Sequence, residues 1–333
     1  MKNNTFEEIW AKLKEAKNIL IPLHPRPDGD SLGSCTALKY ILEKNTNAKV
    51  TLISKDELSN NLNGFGFVKE VEFGKEISSY NIRDFDVLLL LDHGSLQGYP
   101  EEMQKKEFPK NTIVINIDHH QTNGYFGNLN YVNPKSPSCC SVLVDFFESL
   151  KINFDAEFSR RLFLGICTDT YFFVHGDSLD SIKKAEFLIE KGKINYAKEF
   201  FEPINSDPWN IKKLYGIILS NMKKDEISGV EIAYSFVLQK DIKKCELNEA
   251  ETRLGVTCMQ DIRGIPFVFI LTELEDKIKG SFRSKDIDTS LFSHELGGGG
   301  HKEASSFMLE KMPLEDAIKK VFKVIEKIGI HKA

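Results

Sequence analysis

The sequence predicts an α/β protein whose N-terminal part is a parallel β-sheet with helices on both faces. Apolar segments alternate with helical patterns through the first half of the chain, which is typical of βαβ units. Four of these segments end in carboxylate or imidazole side chains, as expected where ligands bind at the carboxyl edge of an open sheet. The length of 333 residues further predicts a second, smaller α/β domain, joined to the first by a helical linker.

Local signals place the elements of the first domain. Thr5 and Glu8 have the spacing of a capping box at the start of an amphipathic helix within residues 1–17. The apolar run at 19–23 predicts the first strand, and apolar residues at helical spacing predict a helix from Ser31 to about Asn45. Further strands are predicted at 49–54, 86–91 and 112–115, and helices at 138–150, 155–167 and 178–224.

A break in the helical pattern between Pro203 and Pro208 marks the predicted domain boundary. We therefore expect a first domain at 1–200, a helical linker at 201–225 and a second domain at 226–333. In the second domain, strands are predicted at 230–238, 266–273 and 277–284, and helices at 247–261 and 313–328.

Composition and charge exclude several classes of protein. No segment is apolar enough to cross a membrane, and the N-terminus lacks the apolar core of a signal peptide, so we expect a cytoplasmic protein. The six cysteines show no CxxC spacing, which argues against a disulfide framework or a zinc site. A net charge of −5 argues against a broad surface for long nucleic acid. An anionic substrate would need its charge neutralised locally.

Ionisable side chains gather at the ends of the four apolar segments. Burying such groups unpaired is costly, so they indicate that something binds there. The segments run into His24-Pro25-Arg26-Pro27-Asp28-Gly29-Asp30, Asp92-His93, Asp118-His119-His120 and Thr168-Asp169-Thr170. The helical pattern at 155–167 leaves open whether Asp169 follows a helix or a strand.

The residue types at these four places point to divalent cations. Four carboxylates and two imidazoles, without thiolate, suit Mn²⁺ or Mg²⁺ better than a structural zinc ion, and we expect Mn²⁺ with Mg²⁺ as the alternative. So many negative charges cannot converge without cations to balance them. Two ions sharing a carboxylate, roughly 3.5–4 Å apart, would activate a bridging water for attack at phosphorus. The six candidate ligands are His24, Asp28, Asp30, Asp92, His119 and Asp169.

Helix capping is the simpler interpretation of the first segment, because Asp28, Asp30 and Ser31 precede a predicted helix. An EF-hand does not fit, since Leu32 and Lys39 stand where calcium ligands should continue. Capping alone leaves the three other carboxylate-bearing segments unexplained. We therefore favour a metal site.

The ordered set of motifs resembles the DHH phosphoesterase family, which is named for an Asp-His-His motif. That motif is matched by Asp118-His119-His120, and the family's first motif is matched by the segment from His24 to Ser34. The lone motif aspartate matches Asp92, and the Thr-Asp-Thr motif matches Thr168-Asp169-Thr170. The resemblance covers nearly the whole chain, in order.

The resemblance implies a role for each matched residue. One ion would be held by His24, Asp28 and Asp92. The second ion would be held by Asp30, Asp92, His119 and Asp169, with Asp92 as the bridge. Asp118 would orient a ligand, and His120 would contact the scissile phosphate or stabilise charge on it.

The C-terminal half resembles the DHH-associated domain through its glycine-rich segment, Gly297–Ala304, and its Arg-Ser pair. By this resemblance the second domain would close over the cleft and bind the substrate through Arg283, Ser284, His301, Gly298, Gly299 and Gly300. An arginine fork matches phosphate oxygens, and glycine lets backbone N–H groups approach an anion. A flexible linker is the alternative for the glycines, but linkers rarely adjoin a histidine and a strand-like segment.

The function that the resemblance implies is a two-metal phosphodiesterase. The compact two-domain length resembles the NrnA type, whose members degrade very short oligoribonucleotides from an end and in many cases dephosphorylate 3′-phosphoadenosine 5′-phosphate. The nearest enzyme alternative is a cyclic di-AMP or linear diadenylate phosphodiesterase, and the non-enzyme alternative is a nucleotide-binding regulator. Binding alone would not require a bridging Asp92, which argues against the regulator. Polarity of attack and homodimer formation stay open.

Two features depart from the pattern of the family. His93 follows the proposed bridging aspartate, and we interpret it as a surface histidine rather than a partner of the site. Tyr171-Phe172-Phe173 follows Thr170, where a small residue often comes first. We expect these aromatic side chains to pack in the core rather than to stack on a base.

Overall fold

The computed structural model describes residues 2–174, 178–249, 251–260, 262–300 and 302–330. The chain divides into two compact units, Met1–Ser206 and Asp207–Ala333. The predicted linker at 201–225 therefore begins close to the boundary between the two units, but most of its residues belong to the second unit. The predicted domain bounds otherwise stay predictions.

The first unit is built on a parallel sheet, as the sequence predicts. Its strands have the order β3-β2-β1-β4-β5-β6, so the chain reverses its direction of strand addition between β1 and β4. The strands are β1 Asn18–Pro22, β2 Lys49–Ser54, β3 Val71–Phe73, β4 Val87–Leu91, β5 Ile113–Asp118 and β6 Leu129–Val132. The helices are α1 Phe6–Glu15, α2 Gly29–Asn45, α3 Glu101–Gln104, α4 Cys139–Ser149, α5 Ala156–Asp169, α6 Ser178–Gly192 and α7 Glu202–Asn205.

Both faces of this sheet are covered, because all five side chains of β4 are buried. Leu89 and Leu91 pack in the core formed with α1, α2, α4 and α5. Leu88 and Leu90 point the other way, into a smaller core that includes Ile77, from a 3₁₀ turn, and Met103 of α3. Strands buried on both faces read as continuous apolar runs, which is why the sequence pattern locates them.

Helices α2 and α5 lie unusually close to each other because glycines face their contact. A Cβ at Gly33 would lie 2.5 Å from the carbonyl oxygen of Arg161, and a Cβ at Gly165 would lie 2.4 Å from Asp30 Oδ1. This approach brings the start of α2 next to the end of α5. The two helices thereby carry Asp30 and Asp169 to the same edge of the sheet.

The second unit contains a mixed sheet of order β11-β12-β10-β9-β8-β7, in which β8 and β9 are parallel and the other neighbours antiparallel. Phe269 and Val321 belong to the core on one face, and Leu214 and Ile270 to the core on the other. The strands are β7 Lys223–Ile227, β8 Val230–Val237, β9 Phe267–Glu273, β10 Lys277–Ser284, β11 Gly299–Gly300 and β12 Ala304–Glu310. The helices are α8 Trp209–Ser220, α9 Gln239–Lys244, α10 Thr289–Glu295 and α11 Leu314–Ile328, with a 3₁₀ helix at Glu251–Met259.

The fold class agrees with the prediction of a parallel-sheet unit followed by a smaller α/β unit. The capping box of Thr5 and Glu8 is present at the start of α1. In the described part of the chain, none of the helices combines the length and the apolar character needed to span a lipid bilayer.

Candidate metal centre

The six predicted metal ligands of the first unit lie together at the carboxyl edge of its sheet. His24 follows β1, Asp92 follows β4 and His119 follows β5, and these three strands are neighbours. Asp169 is the last residue of α5, so it follows a helix rather than a strand. The ligand role of these residues stays a prediction, but the sequence pattern does bring their side chains to one place.

The donor atoms form two main groups that meet at Asp92. In the first group, His24 Nε2 lies 3.5 Å from Asp28 Oδ1 and 3.3 Å from Asp92 Oδ2. In the second group, His119 Nε2 lies 3.4 Å from Asp169 Oδ2, 4.0 Å from Asp30 Oδ2 and 3.4 Å from Asp92 Oδ1. Three sets of donor atoms are each compact enough to bind one ion: His24 with Asp28 and Asp92, Asp30 with His119 and Asp169, and Asp92 with His119 and His120. Asp92 therefore belongs to one set with His24 and to another with His119.

Asp92 has the features of a residue that binds something other than the protein. It is 4% exposed, yet its Oδ1 atom accepts no hydrogen bond within the described part of the chain. Its backbone lies in the left-handed region, with φ of +62°, which is uncommon for a residue with a Cβ atom. A buried oxygen without a donor is costly unless a cation binds it. The carboxylate and imidazole donors fit a divalent cation of the Mn²⁺ or Mg²⁺ type.

Both imidazoles are held with Nε2 directed to the carboxylates. Nδ1 of His24 lies 2.9 Å from the Pro25 carbonyl oxygen, and Nδ1 of His119 lies 3.3 Å from that of Ser136. Because a carbonyl oxygen only accepts, each Nδ1 carries a hydrogen, so Nε2 is the nitrogen that can bind an ion once the ring has lost its second proton. Hydrogen bonds of this kind fix the tautomer and orientation of metal-binding histidines.

The two aspartates of the first motif also make backbone hydrogen bonds. Asp28 Oδ1 accepts the N–H groups of Asp30 and Ser31 at 3.0 Å each, so Asp28 does cap α2. Asp30 accepts the N–H groups of Cys139 and Cys140 at 2.6 and 2.9 Å, at the start of α4. Each carboxylate oxygen has two lone pairs, so it can accept a backbone hydrogen bond and still bind an ion. The capping contacts are therefore compatible with a metal site.

Asp118 contacts His120 rather than the predicted ligands. Its Oδ1 accepts the Nδ1–H of His120 at 2.7 Å, and its Oδ2 accepts an N–H of Asn123 at 2.6 Å. Asp118 is fully buried, whereas the His120 side chain is 44% exposed. The pair thus holds one partly exposed imidazole beside Asp92, whose Oδ1 lies 3.7 Å from His120 Nδ1.

The concentrated carboxylates strongly shift the pKa values of the cluster. Burial alone would lower the pKa of His24, but contacts with Asp28 and Asp92 outweigh it and raise the pKa to about 11. Burial is likewise outweighed at His119, where Asp92 and the charges of Asp30 and Asp169 raise the pKa to about 10. Burial and the charge of Asp92 raise the pKa of Asp169 to about 7 despite the opposing charge of His119. The cluster therefore retains protons that cations would displace.

His93 is not the surface residue that we expected from the sequence. Its side chain is buried, at 2% exposure, because its ring is covered by Tyr99 and lies edge-on to His24 at a centroid distance of 6.1 Å. Of the three aromatic residues after Thr170, Phe172 and Phe173 pack against the core, whereas Tyr171 is 59% exposed. The expectation of core packing is therefore wrong for Tyr171.

Several residues that position the site are missed by sequence reasoning. Asn123 holds Asp118, and Asn116 donates to the carbonyl oxygen of Leu90 at 3.1 Å. The signal for Asn116 is present, since this amide interrupts an apolar strand. Asn123 lies in a polar loop and carries no comparable signal. The Ser136 carbonyl that orients His119 cannot be identified from side-chain chemistry at all.

The predicted substrate-binding residues lie in the second unit. Strand register places Arg283 opposite Ala304 and Gly300 opposite Ser305, on the two sides of β12. The Ser284 hydroxyl is engaged internally, since it donates to the Pro266 carbonyl oxygen at 2.8 Å. Gly298 and Gly299 precede and begin β11, and His301 lies outside the described residues. The glycine segment is therefore partly a strand rather than a flexible linker.

Two family models match the chain. The model described as "DHH family, N-terminal domain" matches residues 18–166, and the DHHA1 domain matches residues 229–328. The chain is 26% identical to the probable bifunctional oligoribonuclease and PAP phosphatase NrnA of Streptococcus mutans, over 90% of this chain and 92% of that protein. It is 24% identical to the bifunctional oligoribonuclease and PAP phosphatase NrnA of Thermus thermophilus, over 95% and 94%.

A solved structure shares the fold of the whole chain. The crystal structure of an exopolyphosphatase-related protein from Bacteroides fragilis superposes with a TM-score of 0.80 at 22% identity. The match covers 97% of this chain and 95% of that one. At this identity the likeness establishes the fold alone.

Proposed function

This chain belongs to the DHH family of phosphoesterases, and we propose on that premise that it hydrolyses short oligoribonucleotides with two divalent cations. The proposal includes removal of a phosphate from 3′-phosphoadenosine 5′-phosphate. Relatives named for both activities match almost the full length of the chain, which supports both substrates. Both activities are hydrolysis of a phosphoester bond.

The observation that carries the proposal is the position of Asp92 between two donor groups. Its Oδ2 faces His24 and its Oδ1 faces His119, at 3.3 and 3.4 Å from the two Nε2 atoms. A carboxylate shared in this way suits two ions held side by side. When bound, such ions supply an activated water and neutralise charge on the phosphate.

The chain's own residues would prepare the phosphate for attack. The hydrogen bond that His120 donates to Asp118 is the main reason that the pKa of His120 is raised, so this imidazole is favoured in its protonated form. A protonated, partly exposed His120 can donate to a phosphate oxygen or to the leaving oxygen. Asn123 fixes Asp118 and thereby the direction of the His120 ring.

A small anionic substrate agrees with the charge of the molecule. The net charge of −5 gives little attraction for long nucleic acid, so the charge of the substrate must be met locally. In the second unit, Arg283 and the N–H groups of the glycine segment would bind the phosphates of a terminal nucleotide. We therefore propose substrates of a few nucleotides.

One experiment tests this proposal directly. The purified chain with Mn²⁺ is incubated with di- to pentaribonucleotides, 3′-phosphoadenosine 5′-phosphate, cyclic di-AMP and linear diadenylate, and Asp92→Asn serves as the inactive control. We expect release of mononucleotides from the short RNAs and of phosphate from phosphoadenosine phosphate. Preferential cleavage of cyclic di-AMP would replace the proposal with the cyclic-dinucleotide alternative. Binding without turnover of any compound would favour a regulator.

A further inference from the structure

The buried His93 ring has one hydrogen-bond partner for each nitrogen. Nδ1 lies 2.7 Å from the Leu91 carbonyl oxygen, and Nε2 lies 2.5 Å from the Tyr99 hydroxyl oxygen. The carbonyl can only accept, so Nδ1 carries a hydrogen, and in the neutral ring Nε2 accepts from the Tyr99 hydroxyl, which also lies 3.3 Å from the Leu23 carbonyl oxygen. The ring is thereby fixed in the turn directly after Asp92.

The backbone of His93 is held from the opposite side. Its carbonyl oxygen accepts N–H groups from Asn123 at 2.9 Å and from Asn116 at 3.3 Å. Asn123 also donates to Asp118. The turn after β4 is therefore clamped through both the ring and the carbonyl of one residue.

This clamp adjoins a residue with an uncommon backbone conformation. Asp92 has φ of +62°, in the left-handed region, which is uncommon for a residue with a Cβ atom although aspartate adopts it more often than most. The strand fixes Leu91 on one side, and the contacts of His93 fix the other. We propose that His93 and Tyr99 are positioning residues that keep the Asp92 carboxylate directed to both donor groups. This inference rests on the metal centre of the proposed function.

Metal affinity distinguishes a role of Tyr99 in positioning Asp92 from a general contribution of Tyr99 to stability. Because Asp92 faces both donor groups, loss of the clamp should weaken the binding of both ions together. Loss of a ligand that belongs to one group, such as Asp169, should weaken one ion only. A merely structural role of Tyr99 would lower the melting temperature and leave the affinity of the folded protein for metal unchanged.

The test is calorimetric titration of the metal-free full chain with Mn²⁺. We expect Tyr99→Phe to weaken both binding events by roughly 10–100-fold. The matched control is Tyr40→Phe, which removes a hydroxyl bonded to Asp155 at 2.8 Å, outside the candidate ligands. It should leave both events unchanged. His93→Asn, whose amide can replace the ring donor to Leu91, should retain more affinity than His93→Ala.

Wild-type affinity for both ions in folded Tyr99→Phe, or weakening of one ion alone, would overturn the inference. Circular dichroism establishes that each variant is folded before titration. The outcome is separable from the fate of the proposed function, since the titration contains no substrate. A wild-type chain that binds two ions and cleaves nothing would refute the function and leave the positioning inference standing.

A different observation concerns the second unit, where a cavity of about 540 Å³ lies beside α8, the end of β8 and α9. It is lined by the exposed residues Lys213, Lys240 and Lys244, of which Lys240 also acts electrostatically on Glu273. The lining carboxylate, Asp241, already accepts the Leu238 N–H at 3.1 Å. Three like charges around one cavity favour an anion.

Gly216 leaves open space at the wall of this cavity. It lies in the interior of α8, where glycine is among the least favourable residues. A Cβ atom at this position would have no heavy atom within 4 Å, so packing does not require glycine. Its side of the helix lines the cavity, and any larger side chain would occupy space there.

We infer that this cavity binds a small organic phosphate, with its phosphate at the lysines and its apolar part against Ile217 and Leu238. The volume lies within the range of small-molecule sites. Adenosine 5′-monophosphate is the probe, chosen because the proposed reaction releases nucleoside monophosphates. The predicted substrate residue Arg283 does not line this cavity, so the two sites can be varied separately.

The test is calorimetric titration of the metal-free chain with adenosine 5′-monophosphate, inorganic phosphate and adenosine. We expect Gly216→Glu, and separately the double variant Lys240→Glu with Lys244→Glu, to weaken monophosphate binding at least tenfold. The matched control is Lys243→Glu, on the same helix but outside the lining, which should bind as wild type. Equal binding by all variants would overturn the inference, as would equal affinity for inorganic phosphate, which would mean that any anion suffices.

Discussion

Oδ1 of Asp92 lies 3.4 Å from Nε2 of His119, and this buried oxygen accepts no hydrogen bond from the described residues. The contact joins the end of β4 to the residue after β5, on adjacent strands of the sheet. When the imidazole is neutral, its Nε2 lone pair and the carboxylate oxygen of Asp92 face each other without a hydrogen between them. A cation bound between the two atoms would stabilise both. The account of function depends on this arrangement.

Replacing the shared carboxylate should remove activity without removing the fold. Asp92→Asn keeps the volume of the side chain but loses the charge that faces both donor groups. We expect loss of turnover on dinucleotides and loss of both Mn²⁺ binding events. Circular dichroism should match wild type. A variant with near-normal Mn²⁺-dependent activity would refute the bridging role.

Asp118 should affect turnover less severely than a direct ligand. It holds Nδ1 of His120 at 2.7 Å and contacts none of the other candidate ligands by a hydrogen bond or ion pair that the described residues show. We expect Asp118→Asn to lower kcat by roughly 10–100-fold, as for groups that orient a functional residue. Steady-state kinetics measures the effect. Complete loss of metal binding would instead place Asp118 among the ligands.

Metal affinity should fall as the solution becomes more acidic. In the metal-free protein the pKa values of His24 and His119 are raised to about 11 and about 10, so both imidazoles carry protons at neutral pH. Each ion must displace protons in order to bind. Calorimetry in buffers of different ionisation enthalpy should therefore show proton release at pH 7 to 8. Absence of proton release would contradict the imidazole ligands.

The metal-free protein should lose stability as pH rises from about 4 to about 7. The pKa of Asp169 is raised to about 7, so the folded state favours its protonated form. This contribution is fully present below the unfolded pKa near 4 and is lost as pH rises through about 7. Melting curves with a chelator should show the decline, and Asp169→Asn should reduce it. An unchanged pH dependence in that variant would assign the effect to other groups.

Two helical glycines should respond to alanine in opposite directions. At Gly165 a Cβ would lie 2.4 Å from Asp30 Oδ1 of α2 and 2.3 Å from Cys140 Sγ of α4, so Gly165→Ala should destabilise the first unit by about 1–3 kcal/mol through overpacking. At Gly216 no heavy atom lies within 4 Å of a Cβ, so Gly216→Ala should stabilise α8 by up to about 1 kcal/mol. Urea unfolding measures both. Equal effects would refute the close α2–α5 contact.

The sequence predicts the ligand cluster because its members follow elements with strong periodic signals. The runs before His24 and Asp92 are buried and almost entirely apolar, and the run before His119 is apolar from Ile113 to Ile115. In a parallel sheet the carboxyl ends of the strands lie at the same edge. The positions of the strands are therefore enough to predict that the residues that follow them lie near one another. The short edge strand β6 is not predicted, since it starts within the polar, asparagine- and glycine-rich residues 121–130.

The supporting contacts could not be predicted because they depend on tertiary packing. Asp30 accepts N–H groups from residues more than one hundred positions later, and backbone donors leave no trace in the sequence. The burial of His93 likewise depends on Tyr99, whose position follows from an irregular segment. Side-chain types and strand patterns therefore identify the candidate ligands, whereas the groups that orient them require the fold.

The most direct test of the shared carboxylate is anomalous diffraction at the manganese edge from crystals of the Mn²⁺-loaded protein. The account predicts two anomalous peaks roughly 3.5–4 Å apart, one on each side of the Asp92 carboxylate. A single peak, or two peaks that do not both contact Asp92, would contradict it.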